Sequence, residues 1–244
     1  MHDPQWIIPG IVAPFLFTLV MLMIQQDSDG PLVLRAILGG GVLGMWGNTI
    51  FKSSESIMYD RRNGTLEPIM AALAGLNDVI IGRSLWNALV GMLNGLLVLV
   101  VAESMFDANV RIADPPLFLV CLLLTLLSLA AVGMLFSALF VYTRRGHMLS
   151  SMLEYPIYVL SGALVPVMLL PEAARYASFL LAPSWGVDAM NMAADVTYTH
   201  SITGGVFINL AMLAILAVSY YFIATALLIK IERDIRRDGT AVRF

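Results

Sequence analysis

The chain reads as long apolar runs broken by short polar turns. A membrane-spanning helix needs roughly 20 mostly apolar residues. Six runs reach that length, at about 6–24, 32–51, 79–101, 117–141, 148–168 and 205–229. None shows the two-residue alternation of a barrel strand, so all are predicted to be helices. The first run has no basic segment or small-residue cleavage site and is expected to remain as a span. The expected fold is an all-α integral membrane protein with six transmembrane helices, residues 1-244 forming a single transmembrane domain.

The turns carry more local information than the runs. "YDRRNGTLEPIM", residues 59–70, separates the second and third runs. Asn63-Gly64 is a turn signal. Thr65 suits the cap of a following helix through its hydroxyl. Glu67 and Pro68 suit that helix's first turn, one by charge and one by its fixed φ. Leu66, Ile69, Met70 and Leu73 recur at helical spacing and share one face. Gly75 is a natural stop. The result is a helix over about 65–74, too short to persist alone in water. It must lie on the membrane surface, on its own bundle or on a partner protein.

The fifth run, "SSMLEYPIYVLSGALVPVMLLP", carries Glu154, Pro156, Gly162, Pro166 and Pro171. Proline removes a backbone hydrogen bond, so a kink at Pro156 and an end near Pro166 are expected. Glu154 falls one or two turns inside the inner leaflet. Such a residue is either functional or paired, Arg144 and Arg145 being the nearest cations. Residues 171–205 are partly apolar, with short helices expected over about 173–181 and 185–193. They read as re-entrant outer helices within about 172–193. Tyr176 and Trp185 suit an interfacial aromatic belt. The pairs Gly40/Gly44, Gly91/Gly95 and Gly133/Ser137 allow close helix approach, expected mainly inside the bundle.

Composition settles the solvent. The sequence is 59% hydrophobic and 13% charged, whereas a soluble domain carries about 25% charged residues. Its mean hydropathy is +0.83. Charge then sets orientation. With a cytoplasmic N-terminus, of the 14 Lys and Arg only Arg35, Arg111 and Arg175 fall outside. That asymmetry predicts that both termini are cytoplasmic. The net charge of −3 suggests no nucleic-acid partner. Cys121 is a lone thiol in an apolar run, and His2, His147 and His200 lack metal-ligand spacing.

"MYDRRNGTLEPIMAALAGLNDVIIGRSL" resembles the inner loop of the membrane subunits of type-2 ABC exporters, the ABC-2 permease family. Asp60, Arg61, Gly64, Thr65, Leu66, Glu67, Gly82 and Arg83 fall on that family's pattern. "YPIYVLSGALVPVMLLP" followed by "LLAPSWGVDAM" resembles its second signature. "DRRN" stands where the family usually has a more acidic cluster, and "MHDPQ" leaves no room for an amphipathic helix before the first span.

The resemblance implies a permease subunit that exports an amphipathic substrate (drug, antibiotic, lipid or lipid-linked glycan) across the cytoplasmic membrane by alternating access. It implies that 65–74 is a coupling helix, with Asp60, Arg61, Gly64, Thr65, Leu66, Glu67, Ile69 and Met70 meeting an ABC ATPase subunit. Two ATPase copies would bind ATP and Mg, and this chain would hold no cofactor. A second permease copy or a related permease would complete the pathway within membrane lipid. The pathway candidates are Trp46, Asn48, Glu154, Tyr155, Tyr158 and Ser161. The sequence contains no G-x-x-x-x-G-K-[ST] phosphate loop, which accords with a separate engine. An intramembrane serine protease would need a facing Ser and His, and His147 and His200 lie at opposite edges. A secondary transporter without an ATPase partner is the alternative; it would show inverted repeats and paired midplane charges, and no repeat is visible.

Overall fold

The computed structural model describes residues 30–71, 75–106, 112–142 and 146–238, with isolated positions of the first apolar run. Most of the first expected span, and Leu73, Arg111, Arg144 and Arg145, lie outside the described residues. So do the side chains of Arg61, Glu67 and Met70. All regular structure among the described residues is helical. The helices are α1 (Gly30–Arg62), α2 (Leu66–Ala71), α3 (Gly75–Phe106), α4 (Pro115–Tyr142), α5 (Gly146–Leu160), α6 (Glu172–Phe179), α7 (Ala182–Ala194) and α8 (Val206–Asp238). A 3₁₀ turn, Val167–Leu169, sits between α5 and α6.

Three described helices are long and apolar enough to cross a membrane: Gly75–Leu97, Pro115–Val141 and Val206–Asp234. The second and fifth expected spans depart from that standard for different reasons. α1 has 33 residues, about 50 Å at 1.5 Å per residue. It continues well past the expected end at residue 51. It carries glycines, Asn48, Thr49 and Lys52 where the other helices carry leucine. Every residue from Ala36 to Ile50 is buried. A helix surrounded by protein need not be as apolar as one facing lipid. α5 continues through Pro156 but stops at Leu160, six residues before Pro166. At 15 residues it is about 22 Å long. Gly162 ends it by taking φ 77°, a left-handed conformation that glycine adopts without a Cβ clash.

α1 packs most extensively on α3, and α4 on α8; α4 also touches α1, α3 and α7. The bundle therefore has α1 and α4 at its centre. Turn 63–65 and the start of α3 lie at one end, where Gly75 approaches Glu232 near the end of α8. The other end carries α6 and α7. There the amides of Ala113 and Asp114 donate to the carbonyls of Ala194 and Ala193, both at 3.1 Å.

The small-residue positions serve contacts inside the chain. Gly95 lies against Gly41, Gly91 against Met45, and Gly133 against Thr49. The tightest approach is at Gly39, where a Cβ would stand 2.0 Å from the carbonyl oxygen of Ala163. That oxygen is backbone, so it cannot rotate away. Gly39→Ala is expected to destabilise the fold by about 1–3 kcal/mol through overpacking. Gly82, with nothing within 4 Å of a built Cβ, serves as control; its alanine variant is expected to match or exceed wild type. Thermal unfolding of the purified variants in lipid nanodiscs checks both.

Candidate functional site

The most polar buried constellation lies at the turn end. The α1 helix delivers Asp60 into the α1–α3 contact, where it is only 4% exposed. Arg83, about a quarter of the way along α3, meets it with both terminal nitrogens. Nη1 pairs with Oδ2, and Nη2 reaches Oδ1 at 3.3 Å. Nη1 also donates to the Ser56 hydroxyl at 3.0 Å. The planar fork of an arginine suits this double contact, which a lysine could not reproduce.

Asp60 also organises the turn itself. The Thr65 hydroxyl donates to Asp60 Oδ1 at 3.1 Å, and the Thr65 amide donates to the Asp60 carbonyl at 2.9 Å. The hydroxyl expected to cap the following helix is thus engaged as a donor by the preceding carboxylate. Gly64 has φ 66° and supplies the left-handed residue that the reversal needs. α2 then starts with the Ile69 amide donating to the Thr65 carbonyl at 3.1 Å. Its described part covers Leu66–Ala71; residues 72–74 of the expected 65–74 lie outside the described set.

Of the three possible supports for the apolar stripe, its own bundle takes Leu66 and Ile69. Leu66 is buried, and Ile69 packs against the same cluster, which includes Ile57, Leu76, Ile80 and Leu228. Among the described side chains here, Tyr59, Arg62, Asn63, Gly64, Thr65 and Pro68 are exposed.

The pathway candidates separate into two groups. Trp46, Asn48, Glu154, Tyr158 and Ser161 are buried inside the bundle, while Tyr155 is 63% exposed. Trp46 meets Phe136 edge to face, with ring centroids 6.3 Å apart. Asn48 donates to the Asn87 carbonyl at 2.6 Å. Glu154 accepts a hydrogen bond from the Tyr158 hydroxyl at 2.5 Å. That partner sits one helical turn on, a spacing that puts two side chains on one helix face. Tyr155 joins Met148, Met152 and Val159 as the exposed apolar stripe of α5.

The opposite end holds residues that the sequence pattern did not single out. Asp188 is buried on α7. Its Oδ2 accepts from the Ser201 hydroxyl at 2.8 Å, the Ile202 amide at 2.9 Å and Asn209 Nδ2 at 2.5 Å. Tyr198 also hydrogen-bonds to it. Burial, reinforced by the Asp188 charge, pushes the Tyr198 hydroxyl well above its ordinary value, so it stays a donor. Arg35 pairs with Asp195 at 3.1 Å, and its guanidinium lies 4.7 Å from the Tyr198 ring centroid. Arg175 donates to the carbonyls of Met168 and Leu170. Two of the three cations placed outside by the charge asymmetry are therefore held by acceptors of the chain itself. Trp185, expected in an aromatic belt, is buried and donates from Nε1 to the Phe179 carbonyl at 2.9 Å. Tyr176 is exposed.

Burial alone would raise the Asp195 carboxyl. The Thr197 hydroxyl and amide, with Arg35, outweigh it and hold the group below its ordinary value. A depressed folded value contributes stability above the unfolded pKa, and that contribution disappears as pH falls through the folded one. Acidification below the ordinary carboxylate range is therefore expected to lower the melting temperature. Asp195→Asn is expected to be less stable at neutral pH and flatter in that acid window. Melting curves from neutral pH down to about pH 3 measure the difference.

The family model described as ABC-2 type transporter matches residues 4–194. That range includes the turn, the Asp60–Arg83 pair, the five buried pathway candidates and α7. No curated protein matches the chain.

Proposed function

The chain belongs to the ABC-2 type transporter family, and from that premise we propose that it is the permease subunit of an ATP-driven exporter. It is a membrane transport protein of that family. The finer reading is that a separate ABC ATPase, present in two copies with ATP and Mg, docks at the turn between α1 and α3. Two permeases, identical or related, then enclose a route for an amphipathic drug-like, lipid or lipid-linked substrate. In this reading six spans cross the cytoplasmic membrane with both termini inside.

The observation that carries the reading is the anchored turn. Asp60 fixes Thr65 from one side and Arg83 from the other. Force applied to the exposed Arg62–Thr65 surface is thereby passed directly to α1 and α3. A turn held only by its apolar stripe would yield before the helices moved. Leu66 and Ile69 of the stripe seat α2 on the bundle, and the exposed Arg62, Asn63 and Thr65 are where a charged groove would meet the turn. The exposed α5 stripe, centred on Tyr155, is where a second membrane subunit would border the pathway. The buried residues Trp46, Glu154 and Tyr158 would reach a substrate only if α1 and α5 part during the cycle.

The test uses the tagged chain and an ATPase that copurifies with it. Gly64→Val forces a β-branched side chain into a left-handed backbone position, which costs about 1–3 kcal/mol. Glu67→Lys reverses a charge in the first turn of α2. Both variants are expected to insert and bind the ATPase while ATP-driven efflux falls at least tenfold relative to hydrolysis. Normal efflux in both would sink the docking assignment. No copurifying ATPase and no ATP-dependent transport would favour the secondary transporter.

A further inference from the structure

α8 changes character partway along one of its faces. Its bundle side stays apolar to the end of the packed region: Ala224, Leu228 and Ile231 recur at helical spacing and are buried in one cluster with Leu76 and Ile80 of α3. Its outward side does not. Phe222, Ile223 and Ile229 are exposed and apolar, whereas Lys230 and Arg233 are exposed and charged. Phe222, Ala226, Ile229 and Arg233 follow one another at turn spacing, so the basic residues continue the apolar line.

The switch occurs where α8 is held against its neighbour. Both carboxylate oxygens of Glu232 stand 3.7 Å from the position a Cβ would take on Gly75, at the start of α3. α3 changes at the matching level: Asp78, three residues in, is exposed, and the apolar run starts at Val79. Two adjacent helices thus pass from charged to apolar surface at one height, which marks an edge of the hydrocarbon layer. The headgroup layer beyond such an edge is about 5–7 Å thick. At 1.5 Å per residue, Lys230 lies about 1.5 Å and Arg233 about 6 Å past Ile229 along the axis. Both fall inside that layer.

The other cations of the bundle are already engaged. Arg35, Lys52 and Arg83 are in ion pairs, and Arg175 is held by two backbone carbonyls. Lys230 and Arg233 enter no ion pair among the described residues, although Asp234 flanks them on the same helix. Their charges are left to the surroundings of α8.

We propose that Lys230 and Arg233 form a binding site for the phosphate headgroup of an anionic membrane lipid. The lipid's chains would lie along Phe222 and Ile229, and its phosphate would meet the ammonium and the guanidinium fork one turn apart. An acidic protein surface would match the charge, but it would have no reason to follow the apolar line that leads into it. A lipid held here grips the last packed turn of α8 beside the start of α3. The same buried cluster seats Leu66 of α2, so bilayer composition would bear on the turn. The site needs only that α8 crosses the membrane, not that an ATPase docks nearby.

The full chain in neutral-detergent micelles is titrated with phosphatidylglycerol or phosphatidylcholine, and bound lipid is counted by native mass spectrometry. One basic residue beside an anionic surface is expected to favour it about fivefold. The wild type should therefore prefer phosphatidylglycerol by about tenfold or more at low salt. Lys230→Gln and Arg233→Gln should each lose about fivefold, and the double variant should approach parity. In 1 M ammonium acetate, where the screening length is about 3 Å, the wild-type preference should collapse. Arg62→Gln removes an exposed cation of the turn, away from this face, and should keep the preference. Equal binding of both lipids by wild type, a preference that survives in the double variant, or an equal loss in Arg62→Gln overturns the site. A double variant that keeps the preference but loses a copurifying ATPase overturns it too, and assigns the face to that protein. The titration uses no ATPase, so its failure leaves the docking assignment of the turn standing.

Discussion

Arg83→Leu is expected to abolish coupled transport and to lower stability by about 3 kcal/mol. Asp60 is almost fully buried, and among the described residues the substitution leaves its carboxylate with only Thr65 as a side-chain partner. Breaking a buried pair by removing one member typically costs about 3–5 kcal/mol, because the remaining charge is uncompensated. The lower end applies, since the Arg83 side chain is 35% exposed and water can reach part of the vacated space. Arg83→Lys restores the charge but not the fork that holds Asp60 and Ser56 together. It is expected to recover most of the stability and little of the transport. The double variant Asp60→Asn/Arg83→Gln removes both charges and is expected to recover stability without transport. Melting temperatures in nanodiscs, read beside ATP-driven efflux, separate the two effects. A wild-type melting temperature for Arg83→Leu would show that the pair holds nothing.

This pair also shows what a sequence can and cannot reveal. Asp60 and Arg83 were both visible as members of one motif, yet their 23-residue separation hides the contact. Only the antiparallel packing of α1 on α3 brings them together. Asn63-Gly64-Thr65 was legible as a turn because the chemistry is local: glycine tolerates φ 66°, and no distant element has a say. The stripe of Leu66 and Ile69 was equally legible, but the surface it covers was not. Periodicity marks a face that must be buried and is silent about what buries it.

The fifth run failed for a related reason. Its prolines suggested an end near Pro166, but α5 stops at Leu160, just before the left-handed Gly162. That glycine lets the 161–163 turn drop onto Gly39, a contact that depends on both chain segments at once. The short helices after it were well placed, because Pro171, Pro183 and the polar ends of each segment limit them locally. The partner of Glu154 was legible in principle. Tyr158 stands at the i+4 position, nearer along the chain than Arg144 or Arg145.

Asp188→Leu is expected to prevent the chain from accumulating as a folded protein. The residue was invisible in the sequence because a lone aspartate in "WGVDAMNMAA" has no partner nearby along the chain. In the fold four donors converge on it, from Tyr198, Ser201, Ile202 and Asn209. Leucine fills a similar volume but accepts nothing. Each donor stranded away from water costs about 1–3 kcal/mol, and the sum approaches the whole stability of a typical domain, about 5–15 kcal/mol. The segment between α7 and α8 would have to leave its seat to rehydrate them. It would take with it the start of α8, through Asn209. Asp188→Asn keeps one carboxamide oxygen in place and loses the charge. It is therefore expected to fold with a reduced melting temperature, intermediate between wild type and collapse. Fluorescence-detected size exclusion of fusion-tagged variants reads accumulation, and nanodisc melting reads the survivor. Equal accumulation of Asp188→Leu and wild type would mean that the four donors find water where they stand, and that α7 is held by its apolar packing on α4 alone.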